Sequence, residues 1–301
     1  MLQRTIVLIC LTAIGPLLLS GCPDRLIPAN VDFIGSVVYA RGYVAENPGA
    51  PRDEHTYVLK DLLMDVLIPS DTPPGRPVFL VMHSGGFTGG SRDRKDLVRY
   101  AGQVASEGYV CFLIDYRLQG EAPPAPDGWD SLPLTATVHA AAVDARAAIR
   151  YIQAHADTYD VDTSRIVAGG ASAGSVTAFN IGMYDLDTFL NDGPGLPVPP
   201  ENNAGYDMPV SAVIDLWGGG LLAAEAFDAN DPPVMMAHGT LDFTAGVSFV
   251  ESLITLDALN DAGIPVVYHL LPGEGHQAWD ATVDGKDLAE LTLEFLEEYL
   301  H

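Results

Sequence analysis

The sequence predicts an α/β fold in which a mostly parallel sheet carries helices on both faces. Two features support this. Short apolar runs that do not alternate with polar residues recur along the chain, as buried central strands require. Segments of helical length separate them, so strand and helix alternate to the end. The runs are Tyr57 to Leu59, Leu62 to Ile68, Val78 to Met82, Val110 to Ile114, Arg165 to Ala168, Val210 to Leu216, Val234 to Ala237 and Val266 to Leu271. Helices are expected at about Asp93 to Glu107, Ala136 to Ala156, Ala173 to Tyr184, Ala245 to Ala262 and Asp284 to Leu300. Ligands of such a sheet bind beyond the carboxyl ends of its strands.

Ahead of these elements, residues 1–21 read as an export signal. Arg4 precedes an apolar stretch from Ile6 to Leu19, broken by Gly15-Pro16 and followed by Ser20-Gly21 and a cysteine. The stretch is too short and too interrupted to span a bilayer comfortably. Leu19-Ser20-Gly21-Cys22 resembles the bacterial lipoprotein box. That resemblance implies cleavage after Gly21, lipidation of Cys22 and an exported protein anchored to a bacterial membrane. Residues 22–34, with Pro23 and Pro28, are expected to form a tether, and residues 35–301 one domain. Within that domain 185–207 is rich in Pro, Gly and Asn and has no clear period, so it is expected as a small lid or a surface insertion.

Composition narrows the function. Lys and Arg number 15 against 40 Asp and Glu, a formal charge of −25. Loss of the signal removes Arg4 and no acid, which takes the charge to −26. From Ile166 onward there are 21 acids and a single base, Lys286. Phosphate neutralisation needs clustered cations, so nucleic acid is excluded as a partner, and anionic membrane surfaces and acidic substrates are disfavoured. The acidity reads as a solvated surface. Of three cysteines, Cys10 lies in the signal and Cys22 is the lipidation candidate. Cys111 is left alone in an apolar run, with no partner for a disulfide or a cysteine-based metal site. No cofactor or metal is expected.

The chemistry-bearing residues cluster at strand ends. Arg165 to Gly169 is strand-like, Gly170-Ala171-Ser172-Ala173-Gly174 follows, and Ser175 to Phe179 suits a helix. Small residues flanking a serine at a strand-to-helix turn lift its hydroxyl above the sheet, and the helix start offers the Ala173 N–H to a developing oxyanion. Such a serine needs a base, an orienting acid and an oxyanion site. His276, in a flexible loop after the last strand, is the first candidate for the base. His238 stays open, because it ends a strand in Ala237-His238-Gly239-Thr240-Leu241-Asp242. His55, His139, His155, His269 and His301 read as packed or solvated. Asp242 is the natural orienting carboxylate and Asp215 the reserve. His83-Ser84-Gly85-Gly86-Phe87 follows a strand directly, and its glycines let backbone N–H groups approach an oxyanion.

With these motifs in view, the chain resembles the α/β-hydrolase superfamily, in the branch of carboxylesterases, hormone-sensitive-lipase-like esterases and bacterial carbohydrate esterases. The resemblance runs from about Leu62 to Leu300. It is carried by His83 to Phe87 with Gly89-Gly90-Ser91, Gly108-Tyr109, Asp115 to Leu118, Asp144 to Ile152, Asp160 to Ser164, the serine turn, His238 to Asp242 and Gly275-His276. It implies an α/β-hydrolase fold with Ser172 as nucleophile, His276 as base, Asp242 as its acid, and Gly85, Gly86 and Ala173 as oxyanion donors. Ser84 replaces the family's usual glycine, an expected narrowing of the pocket beside the oxyanion loop. The implied activity is serine carboxylesterase action on small-molecule or glycan esters, acetylated or feruloylated glycans among them. An exopeptidase of the prolyl-oligopeptidase branch and a catalytically silent binding protein are the alternatives. Trp217 and Trp279 are expected near the pocket walls.

Overall fold

The computed structural model describes residues 26–193, 195–220 and 222–300. In chain order its strands and helices are β1 (Val31–Ala45), β2 (Tyr57–Pro69), β3 (Arg76–Met82), α1 (Lys95–Ser106), β4 (Val110–Ile114), α2 (Pro133–Ala154), α3 (Ala156–Tyr159), β5 (Val161–Ala171), α4 (Ala173–Met183), β6 (Ala212–Leu216), β7 (Val234–Gly239), α5 (Phe249–Ala262), β8 (Val266–Leu271) and α6 (Leu288–Leu300). The strands form one sheet in the order β1-β2-β4-β3-β5-β6-β7-β8. β1 and β2 pair antiparallel, as do β2 and β4, and every other pairing is parallel.

The apolar runs of β3, β4, β6 and β7 form central strands because both of their faces are buried. In β3, Val78, Leu80 and Met82 enter one core with residues of α2 and α4, while Phe79 and Val81 enter a second core with residues of α1 and α6. Cys111 is buried in the second core and burial pushes its thiol pKa up, as a small packed residue requires. Helix starts follow local capping. Ser248 and Glu251 exchange hydrogen bonds across the first turn of α5, and Asp287 and Glu290 do so at α6. Both helices therefore begin later than the expected Ala245 and Asp284.

Within the expected tether of 22–34, Val31 already opens β1 and Leu26 and Ile27 pack against the second core. The strand Val31–Ala45 has no expected counterpart in the sequence. Two register shifts against β2 disrupt its alternation, and Phe33, Ile34 and Val38 are exposed while Tyr39 and Ala40 are buried. The export signal and Cys22 lie outside the described residues. Among the described residues no helix is long and apolar enough to cross a membrane.

The described residues of 185–207 are irregular apart from a single turn of 3-10 helix at Pro200–Asn202. Arg117 holds Asp144 of α2 and Asp192 of this segment, each at 2.7 Å, and all three are buried. Phe189 packs among Trp129, His139 and Tyr184, and the Asn202 side chain exchanges two 2.8 Å hydrogen bonds with the backbone of Arg41.

Candidate active site

Ser172 stands between β5 and α4 with φ 54° and ψ −115°, a conformation non-glycine residues rarely adopt. The flanking glycines make the turn possible. A Cβ on Gly170 would lie 2.3 Å from the Met82 carbonyl oxygen, and one on Gly174 would lie 2.2 Å from the same atom. The elbow thus presses directly on the end of β3, where no side chain fits. Ser175 completes the joint, donating its hydroxyl to Gly170 O at 2.7 Å and accepting from Leu216 N at 3.0 Å.

Three loops converge on the elbow. His276 Nε2 lies 3.0 Å from Ser172 Oγ, and His276 Nδ1 lies 2.7 Å from Asp242 Oδ2. The same carboxylate oxygen lies 3.1 Å from His238 Nε2, and Asp242 Oδ1 accepts the Thr244 N–H at 2.9 Å. Burial raises the Asp242 pKa, but hydrogen bonds from His276 and Thr244 outweigh it and hold the carboxyl below its usual range. An ionised acid thus faces the imidazole that faces the serine, the arrangement needed to accept a hydroxyl proton and stabilise the resulting imidazolium.

The loop after β3 borders the same elbow. Tyr116 stacks on the His83 ring at 4.2 Å and donates its hydroxyl to His83 O at 2.7 Å. Arg92 ties the far end of the loop to Asp65 at 2.9 Å and to Asp115. Gly85 has φ 139°, and a Cβ there would lie 1.9 Å from Gly89 O; Gly86 has φ 59°. Among the described residues the N–H groups of Gly85 and Gly86 donate to no acceptor. Ala173 opens α4, so its N–H has no intrahelical acceptor either. These are the groups that a tetrahedral oxyanion requires.

Some expectations change. Ser84 is buried in the loop after β3. Trp217 is fully buried and meets Trp279 edge-on at 4.8 Å, so it packs beneath the His276 loop and is no pocket wall. Asp215 makes no contact with His276. Its Oδ1 accepts the Gly218 N–H at 2.7 Å, and burial pushes its pKa up to about 7, against the lowering effect of that bond. The sequence left His238 undecided, and its place on the Asp242 carboxylate emerges only once the turn after β7 curls back. Among the described residues no group of acids, histidines and cysteines could hold a metal ion.

An elbow serine, an imidazole relay and an oxyanion loop on this sheet define a serine hydrolase of the α/β-hydrolase fold. Residues 64–224 match the BD-FAE family, and the chain belongs to that family. Residues 179–301, which hold Asp242 and His276, match the prolyl oligopeptidase family. Several solved structures of an esterase from the Planctomycetes species Thermogutta terrifontis are similar. The propionate-bound form is 23% identical with a TM-score of 0.61, covering 86% of this chain and 94% of that one. The butyrate-bound form is 22% identical with a TM-score of 0.62, covering 90% and 94%. The form phosphonylated by sarin is 22% identical with a TM-score of 0.62, covering 87% and 94%. At this identity the likeness establishes the fold. No curated protein matches the sequence.

Proposed function

We propose that the protein is a serine carboxylesterase that cleaves esters of small or medium acyl groups, with acetylated or feruloylated glycans as its candidate natural substrates. In this reading Ser172 attacks the ester carbonyl carbon while His276 Nε2 takes the hydroxyl proton. The carbonyl oxygen becomes an anion held by the N–H groups of Gly85, Gly86 and Ala173. Collapse of that intermediate expels the alcohol, protonated by His276, and leaves the acyl group on Ser172. Water, deprotonated by the same imidazole, then releases the acid and restores the serine. Asp242 keeps Nδ1 protonated and stabilises the imidazolium throughout.

The observation that carries the reading is the continuous hydrogen-bond relay from Ser172 Oγ through His276 to an ionised Asp242. Ester cleavage is favoured by the BD-FAE match and by esterase neighbours that hold propionate and butyrate. The prolyl oligopeptidase match over the acid and base favours a second reading, amide cleavage, since the same relay serves both bonds. We also propose export with lipid anchoring at Cys22, which intact-mass analysis of membrane-extracted protein tests by finding, or not finding, an acylated N-terminal cysteine.

A panel of nitrophenyl esters of increasing chain length, an aryl amide and an acetylated sugar decides between the two bonds. Turnover of short and medium esters, abolished in His276→Ala, is expected. Amide turnover exceeding ester turnover would reverse the assignment.

A further inference from the structure

Asp242 lies in a loop, yet three donors converge on its carboxylate: Thr244 N–H on Oδ1, and His276 Nδ1 and His238 Nε2 together on Oδ2. Of these, His238 alone belongs to the sheet. It sits near the end of β7, where Ala237 pairs with Leu216 of β6 and His238 with Leu270 of β8. Its ring packs against Phe249 of α5 and is fully buried. We propose that His238 is a positioning residue for the relay, its Nε2–H fixing the carboxylate that orients His276. The inference rests on the catalytic reading of Ser172, His276 and Asp242.

The reason is geometric first. The terminal torsion of an aspartate is soft, with broad wells instead of sharp rotamers. A carboxylate bonded to Thr244 and His276 alone could swing with its loop, and the imidazole would swing with it. A buried ring carried by a residue paired into β8 and packed against α5 cannot follow that motion, so it ties the loop-borne acid to the sheet that also carries Ser172.

Electrostatics agree. Beside an ionised carboxylate, Nε2 must be the protonated nitrogen. Burial keeps the imidazole neutral against the opposing pull of Asp242, and the titratable groups acting on it are Asp242 and His276, while β8 and α5 contribute the apolar Leu270 and Phe249 beside it. A neutral donor orients the acid and leaves its charge intact for the His276 imidazolium. It also withdraws electron density from Oδ2, so its loss leaves more negative charge on the oxygen that faces His276 Nδ1.

The test is the pH dependence of fluorophosphonate labelling and nitrophenyl ester turnover for the full chain as wild type, His238→Leu and His238→Gln, with melting temperatures alongside. Leucine removes the donor, and glutamine returns an N–H at similar reach. For His238→Leu a fall of about ten-fold in kcat and labelling rate is expected, below the ~10⁴-fold that damage to an orienting acid itself brings. KM stays within about two-fold, and the acid limb moves up by about half a pH unit. His238→Gln restores the rate to within about three-fold and returns the limb. Should His238→Leu not fold, His238→Asn, whose amide is too short to reach Oδ2, takes its place with the same expectation. An unmoved acid limb, with rates that are unchanged or that fall only in step with melting temperature in every variant, overturns the proposal. Absence of labelling in wild type at any pH would overturn the catalytic reading beneath it, and the proposal with it.

Discussion

Two buried aspartates near the elbow differ in their hydrogen-bond partners, and that difference separates their tasks. Asp242 receives three donors and is held ionised, whereas Asp215 receives the Gly218 N–H, and its Oδ2 is buried without a partner. A carboxyl whose pKa rises to about 7 on folding binds more protons folded than unfolded. Its contribution to stability is therefore complete below the unfolded value near 3.8 and is lost as pH rises toward 7. Each pH unit across that window costs about 1.4 kcal/mol. Asp215→Asn removes this dependence, so its melting temperature relative to wild type should climb between about pH 4 and 7 and level off above. Thermal scans of both proteins across pH check it, and a constant difference would contradict the buried, proton-binding carboxyl. Ser172, His276 and Asp242 were legible because G-x-S-x-G and the chain order Ser, Asp, His carry their own geometry. Choosing between Asp215 and Asp242 was harder, since both end near strand termini and only the folded turn decides which reaches His276.

At the level of elements, α2 carries an unusual burden, with 17 of its residues buried and Asp144, Arg146 and Arg150 among them. Such charges need partners. Arg117 pairs with Asp144 and Asp192, while Arg146 and Arg150 both face Asp207. The network joins α2 to the loop after β4 and to both ends of the 185–207 segment. Asp144→Ala leaves a buried guanidinium with one counterion and removes the acceptor of the Arg117 N–H, so it should cost about 3–5 kcal/mol in urea denaturation. Asp192→Asn should cost less, because Asp144 still neutralises Arg117, and it should instead open residues 185–207 to proteolysis. Equal protease resistance in that variant would show that Phe189 and Asn202 hold the segment without it. The apolar runs made β3 and β4 readable to within two residues, because strands buried on both faces leave no polar interruption. β1 was not readable, since one half of it faces solvent through Phe33, Ile34 and Val38 and its register shifts break the period of two.

Across the whole molecule, the charge of −25 lies apart from the chemistry. Among the described residues, ten of the Lys and Arg side chains are already paired with carboxylates. The remaining acid excess is a property of the surface, and the proposed reaction uses one carboxylate, Asp242. The ends of β3, β5, β7 and β8 bring together the oxyanion loop, the elbow, the acid and the base, as open parallel sheets place ligands beyond their carboxyl ends. That convergence is the central claim, and covalent labelling tests it most directly. Wild-type protein and Ser172→Ala are treated with a fluorophosphonate probe, and the adduct is located by peptide mass spectrometry. One adduct, on Ser172, absent from the alanine variant, is the expected result. An unlabelled wild type, or an adduct that persists in Ser172→Ala, would contradict it.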